Sequence, residues 1–320
     1  MTGGVSDLPV AVPLRQADLS GLPAQVRIHE VGPRDGLQAE SVIVPVAVKA
    51  ELVRRLLGAG LAKIELTSFV PPSWIPQLAD AEELMASLAD LPLTARPGLV
   101  TNQRGLDRAV AAGCTEVAVV VSATDTFARR NLNNTVRGAI DLATAVARDA
   151  LAAGLRVRGY VSMCFGDPWE GPVPVSQVTA AVGALAEAGC YEVSLGDTIG
   201  VATPGQVLGM LDALGEAAVT VDRLALHLHD TYGQALANVV AGLMAGVSVF
   251  DSSVGGLGGC PYAQSASGNL ATEELVWLFE GLGIETGVDL VTVAEVGDWM
   301  AAEVGRPGGS RVGRALRTRS

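Results

Sequence analysis

The stretch LAEAG (185–189) followed by CYEVSLGD (190–197) decides how the rest of the chain is read. An Ala/Leu-rich helical run stops on Gly189, and a short strand rich in β-branched residues then runs to a polar residue, Asp197. The same phrase occurs as LLGAG then LAKIELTS (56–68), AVAAG then CTEVAVVVS (109–122), LAAG then LRVRGYVS (151–162), and GLMAG then VSVFDSS (242–253). Glycines 60, 113, 154, 189 and 246 fall where a helix ends in a left-handed residue, a conformation that costs little without a Cβ. With VRIHE (26–30), LTARPGLV (93–100) and LALHLH (224–229) the strands number eight. Strands that are apolar on both faces and alternate with helices form a parallel sheet. Eight such units in about 270 residues predict an α/β chain folded as a (β/α)8 TIM barrel, with a few extra C-terminal helices and a glycine-rich lid loop. The alternative is an open doubly wound sheet, but the first turn, VGPRDGLQ (31–38), is not a dinucleotide fingerprint.

Composition agrees with this. The 320 residues are 49% hydrophobic and 18% charged, enough apolar surface for a large core, and only 4% are aromatic, so that core is Ala, Val and Leu. A net charge of −12 argues against a nucleic-acid partner, which selects for a basic surface. Four dispersed cysteines (114, 164, 190, 260) make neither a disulfide framework nor a zinc knuckle. With no signal peptide or membrane-length apolar run, the expectation is a cytoplasmic protein without membrane contact. The expected organisation is a flexible leader over 1–22, one catalytic barrel over 23–305, and a flexible Arg/Gly tail over 306–320.

Barrel enzymes carry their chemistry at the C-terminal ends of the strands. Arg34 and Asp35 follow strand 1, Glu65 is on strand 2, Asp197 ends strand 6, and His227 and His229 close strand 7. In LALHLHD the two histidines are two apart, so their imidazoles leave the same face of a strand and can chelate a metal. Asp35 is either a further ligand beside an oxyanion-binding Arg34 or half of a surface ion pair. Asp197 is either a ligand holder or a cap for the next segment. Glu65, buried among apolar residues, needs a cation, and Arg34 is a candidate. Cys260, at the tip of the glycine loop, is either an acid–base group under a closing lid or an inert small hydrophobe. Asn269 reads as a helix cap, and His29 as a packed barrel residue.

Taken together, EVGPRDGLQ (30–38), ELTSFVPPSWIPQ (65–77), SLGDTIGVATPG (194–205), HLHDTYGQALAN (227–238) and GGLGGCPYAQSASGNLATEEL (255–275) resemble the 3-hydroxy-3-methylglutaryl-CoA lyase family of metal-dependent lyase barrels. The resemblance runs from about Val26 to about Leu290. It implies a divalent metal, Mg or Mn, held by Asp35, His227, His229 and Asn269, and cleavage of the acyl-CoA substrate to acetoacetate and acetyl-CoA. Arg34 would then stabilise the thioester enolate with help from Glu65. His227 and Asp197 would lie near the proton transfers, and Cys260 would donate or relay a proton. Gln38, Asn131, Arg158, Tyr160 and Glu273 match positions that line the family's substrate pocket, and a homodimer or higher homo-oligomer is expected. A polyanionic substrate and an acidic protein together predict arginines such as Arg34 and Arg158 at the barrel mouth.

One loop departs from the family. Where its members carry a cysteine before Pro-Tyr/Phe-Glu-Gly, this chain reads MCFGDPWEG (163–171), with Asp167 and Trp169 beside the expected acyl pocket. The departure raises the alternative of a lyase for a different 3-hydroxyacyl-CoA. A Claisen-condensing synthase is disfavoured because HLHDTYG replaces the synthases' H-x-H-N-D. A non-catalytic ligand-binding barrel is disfavoured because no metal or proton-transfer residue is missing.

Overall fold

The computed structural model describes residues 21–260 and 263–317, and for 260 and 263–267 the backbone alone. Eight parallel strands follow the order β1-β8-β7-β6-β5-β4-β3-β2: β1 Arg27–Glu30, β2 Thr67–Ser68, β3 Pro97–Leu99, β4 Glu116–Ser122, β5 Arg156–Ser162, β6 Glu192–Asp197, β7 Leu224–Leu228 and β8 Val249–Ser252. The two ends meet where Glu30 pairs with Ile64: the Glu30 amide donates to Lys63 O, and the Glu65 amide to Glu30 O. The ring is a closed (β/α)8 barrel. No helix among the described residues is long and apolar enough to cross a membrane.

All five phrase-ending glycines have positive φ, between 79° and 98°. Gly60 is also fixed by packing, because a Cβ there would sit 2.1 Å from the Gly287 carbonyl oxygen. Around the strands lie helices that include α1 Val46–Gly58, α2 Ala81–Ser87, α3 Gln103–Ala111, α4 Asp125–Leu132, α5 Val136–Ala152, α6 Val175–Glu187, α7 Pro204–Glu216 and α8 Ala235–Met244. Their apolar faces and the strands' outer faces form one continuous core, in which Val117, Val157, Leu195, Leu226 and Phe250 are buried. The inner face of the barrel is polar, filled by His29, Glu65, Arg158, Glu192, Ser194, His227 and Asp251, all buried.

A short hairpin of β9 (Gly259–Cys260) and β10 (Ala263–Ser267) precedes α9 (Thr272–Gly281), α10 (Leu290–Glu303) and α11 (Arg311–Arg317). The loose tail expected from 306 is corrected over its described part. The Arg306 guanidinium forks onto Glu40, the Arg311 amide donates to Glu274 (2.5 Å), Ser310 Oγ donates to Glu274 (2.9 Å), and Arg317 pairs with Asp298. Charge-assisted contacts to folded acids order what composition alone reads as a solvated end. The leader call lies largely outside the described residues.

Candidate active site

At the C-terminal mouth of the barrel, the chain after β1 wraps tightly around one carbonyl: the amides of Arg34, Asp35 and Gly36 all donate to Val31 O (3.1, 2.7 and 3.1 Å). Only glycine fits at 36, since a Cβ would lie 2.5 Å from Ser253 Oγ and 2.9 Å from Leu257 Cβ. Glu30 ties this turn to the segment after β8. Its carboxylate accepts from the Gly32 amide (2.8 Å), the Val254 amide (3.0 Å) and Thr272 Oγ (2.6 Å).

Burial outweighs those three donors and pushes the Glu30 carboxyl from 4.5 up to about 7. The folded state therefore binds more protons at this site than the unfolded chain between pH 4.5 and 7, and stability falls as pH rises through that window. The contribution is on the order of 3 kcal/mol. Glu30→Gln keeps an acceptor for the amides and removes the titration. Denaturant unfolding at pH 5 and 7.5 should show a flatter pH dependence in the variant than in the wild type. An unchanged slope overturns the assignment.

The turn delivers Arg34 and Asp35 to the mouth in different ways. Arg34 is buried, its Nε donating to Glu65 Oε1 and its Nη1 to Asp35 Oδ1, with the guanidinium carbon 5.4 Å from the centre of the Tyr160 ring. Glu65 Oε2 accepts the Tyr160 hydroxyl at 2.6 Å, so one carboxylate braces both neighbours. Burial opposes ionisation of Glu65, but Arg34, His29 and Tyr160 together outweigh it and hold its carboxyl down at about 2. Asp35 is likewise held below the usual carboxylate range, by Arg34 and the two histidines, against burial.

Asp35, His227 and His229 form a three-donor cluster whose ligating atoms lie within 4.8 Å of one another. The two Nε2 atoms face each other at 3.3 Å, and Asp35 Oδ2 is 3.8 Å from His227 Nε2. Asn269 Nδ2 donates to Asp35 Oδ2 at 2.9 Å, which brings the fourth expected ligand to the cluster. The helix-cap reading of Asn269 fails, since Ala271 caps α9. Burial, with His227 adding to it, lowers the His229 pKa to about 3, so His229 is neutral at physiological pH. A carboxylate oxygen and two facing imidazole nitrogens suit a divalent cation, and His229 Nδ1 is buried without a hydrogen-bond partner.

Beside the cluster is a cavity of about 380 Å³. Arg34, Asp35, Gln38, Asn131, Tyr160, His227 and His229 line it, with apolar wall from Val70, Leu99 and Phe127. Thr101, Ser162 and Thr198 also line it, and the sequence reading missed them because small hydroxyl residues at strand ends carry no motif.

Other expected residues do not reach the cavity. Arg158 lies one layer below the mouth, fully buried, its Nε donating to Glu192 and its two terminal nitrogens to Asp251. Glu273 is buried behind the glycine loop, where both its oxygens accept the Gly255 amide at 3.0 Å. The Asp197 carboxylate turns to the Val201 and Ala202 amides (3.0 and 3.1 Å), as a cap would, and burial raises its pKa to about 6. The side chain of Cys260 lies outside the described residues. Of the glycines before it, Gly255, Gly256 and Gly258 are buried, and two are anchored: Gly255 O accepts the Gly309 amide, and the Gly258 amide donates to Glu40.

Asp167 and Trp169 are also absent from the cavity wall. Asp167 is buried and accepts Thr124 Oγ (2.6 Å) and the Trp169 and Glu170 amides, while Trp169 stacks under Arg130 with the guanidinium carbon 4.4 Å from the ring centre. They brace α4, which carries Phe127 and Asn131 into the cavity.

Comparison with known proteins places the chain in a family. The chain is 50% identical over 299 residues to the mitochondrial hydroxymethylglutaryl-CoA lyase of Arabidopsis thaliana, covering 93% of this chain and 64% of that longer protein. The hydroxymethylglutaryl-CoA lyase structure from Pseudomonas aeruginosa superposes with a TM-score of 0.90 at 45% identity, over 94% of this chain and all of that one. An Acinetobacter baumannii HMG-CoA lyase, solved with coenzyme A and 3-methylmalate, matches at 0.85 and 34% identity, over 94% of this chain and 97% of that one. The HMGL-like family model matches residues 25–300, a span that holds all eight strands of the barrel and all of Asp35, His227 and His229, and the chain belongs to that family.

Proposed function

We propose that this protein is a divalent-metal-dependent carbon–carbon lyase that cleaves 3-hydroxy-3-methylglutaryl-CoA to acetoacetate and acetyl-CoA. The observation that carries the reading is the pairing, at one wall of the cavity, of a three-donor metal cluster with a guanidinium already locked in place by a buried glutamate. Asp35, His227, His229 and Asn269 would hold the metal, Mg or Mn, which when bound lowers the pKa of the substrate's tertiary hydroxyl. Asn269 would serve by turning its amide oxygen inward, an exchange of two nearly isosteric atoms.

The chain's own residues supply the rest. When the C2–C3 bond breaks, its electrons pass into the thioester and charge develops on the carbonyl oxygen. Arg34 is the fixed cation for that charge, and Glu65 and Tyr160 keep it from reorienting. C2 must then gain a proton, which we assign to the Cys260 thiol, and the proton that the hydroxyl loses passes through water to restore that thiol. Gln38 and Asn131 orient the acyl chain, while Val70, Leu99 and Phe127 exclude water from the reacting carbons. Asp167 and Trp169 are not among the residues that line the cavity, so their departure gives no support to a different acyl group.

The coenzyme arm has a route outward. A groove lined by Ile43, Trp74, Arg129 and Arg130 shares Gln38, Trp74, Ile75 and Asn131 with the cavity. These arginines, rather than the buried Arg158, provide the positive charge at the mouth that a polyanion requires.

The test is acetyl-CoA release from this thioester with Mg or Mn. Chelation should abolish it and either ion restore it, whereas full activity after verified metal removal overturns the reading. Because two donors are imidazoles, Mn should bind at least about tenfold tighter than Mg, which prefers oxygen ligands. Calorimetric titration of the chelated protein with each ion checks this.

A further inference from the structure

Asp251 is an acid in the middle of the β8 strand, 2% exposed, and was not singled out in the sequence. It sits in register beside His227 of β7. Four donors converge on its carboxylate. Arg158 Nη2 donates to Oδ1 (2.7 Å), Arg158 Nη1 to Oδ2 (3.1 Å), and Ser194 Oγ to Oδ2 (2.9 Å); His227 Nδ1 lies 3.3 Å from Oδ2. Arg158 is itself fixed from the other side by Glu192 at 2.7 Å.

An ionised carboxylate can only accept, so the imidazole nitrogen facing it must carry the proton. That leaves the lone pair of His227 on Nε2, the atom directed at His229 Nε2 and Asp35 Oδ2. We infer that Asp251, clamped by Arg158 and Ser194, is a positioning residue that fixes the tautomer and ring orientation of His227 for metal binding. This rests on the metal-dependent reading above. Carboxylates in this relation to a metal-binding imidazole raise its basicity and are worth roughly 10–100-fold in metal affinity.

Asp251→Asn makes the dependence measurable. Its NH2 meets Arg158 Nη2 at the Oδ1 position, and Arg158 Nη1 and the His227 Nδ1 proton at the Oδ2 position; Ser194 can turn its hydroxyl to accept but a guanidinium can only donate, so either orientation sets N–H against N–H. Titration with Mn followed by electron paramagnetic resonance should show the variant binding roughly 10–100-fold more weakly than the wild type. Equal affinities overturn the inference while leaving the metal site intact. A wild type that binds no Mn overturns the metal-dependent reading and this inference with it.

A second measurement reads the wild-type ring itself. The chain has three histidines, so ¹⁵N-histidine spectra of the wild-type protein are sparse enough to assign, using His227→Gln to identify one ring. His227 should show a protonated, hydrogen-bonded Nδ1 both with Mg and after chelation. A bare Nδ1 in either state overturns the assignment.

Discussion

Arg34→Gln should lower kcat by about 10²–10³, the cost of removing a donor aimed at charge that exists only in the transition state. KM should move far less, because the ground-state thioester oxygen carries little of that charge. The effect is expected to be this large because Arg34 is oriented before substrate arrives. It is held by Glu65 and Asp35 and backed by the Tyr160 ring, so no reorganisation is needed as the enolate forms. Glutamine is too short to span Glu65 and Asp35, and it brings no positive charge. Arg34→Lys should rescue poorly, since a single ammonium cannot reproduce the fork that meets both carboxylates. Steady-state acetyl-CoA release, with metal content checked in each variant, decides it. A kcat within a few-fold of wild type removes Arg34 from the chemistry.

Much of this site was legible before any coordinates. Five glycines predicted at helix ends all have positive φ, because only a residue without Cβ turns cheaply from helix into strand there. Asp35 lies far from the His227–His229 pair in the chain, yet the rule that strand ends converge at one mouth was enough to bring them together. What could not be read was depth. Period two along β5 places Arg158 and Tyr160 on the same inner face, and nothing in the spacing says that Tyr160 reaches the cavity while Arg158 stops a layer below. Asp251 stayed hidden because its meaning lies in the register with His227 on another strand. Glu273 and the Arg306–Arg317 segment were misassigned for a related reason. Their partners are loop amides and acids far away in sequence, and hydrogen bonds of that kind leave no periodic trace.

Depth gives Arg158 its own expected result. Arg158→Met should destabilise the fold by about 3–5 kcal/mol, the cost of stripping the partner from buried charge. Asp251 would lose both hydrogen bonds from the guanidinium and Glu192 its bond from Nε, in a layer closed to water. Arg27 still reaches Glu192 from below, and Ser194 and His227 still reach Asp251. The carboxylate left most exposed to the loss is therefore Asp251, directly behind His227. A double change, Arg158→Met with Asp251→Leu, should recover part of the lost stability while failing to recover metal affinity, because removing the buried charges relieves the fold but leaves His227 unoriented. Denaturant midpoints and Mn titration on the same samples separate the two effects. If Arg158 instead gripped substrate, as the family resemblance suggests, Arg158→Met would raise KM and leave the midpoint where it was.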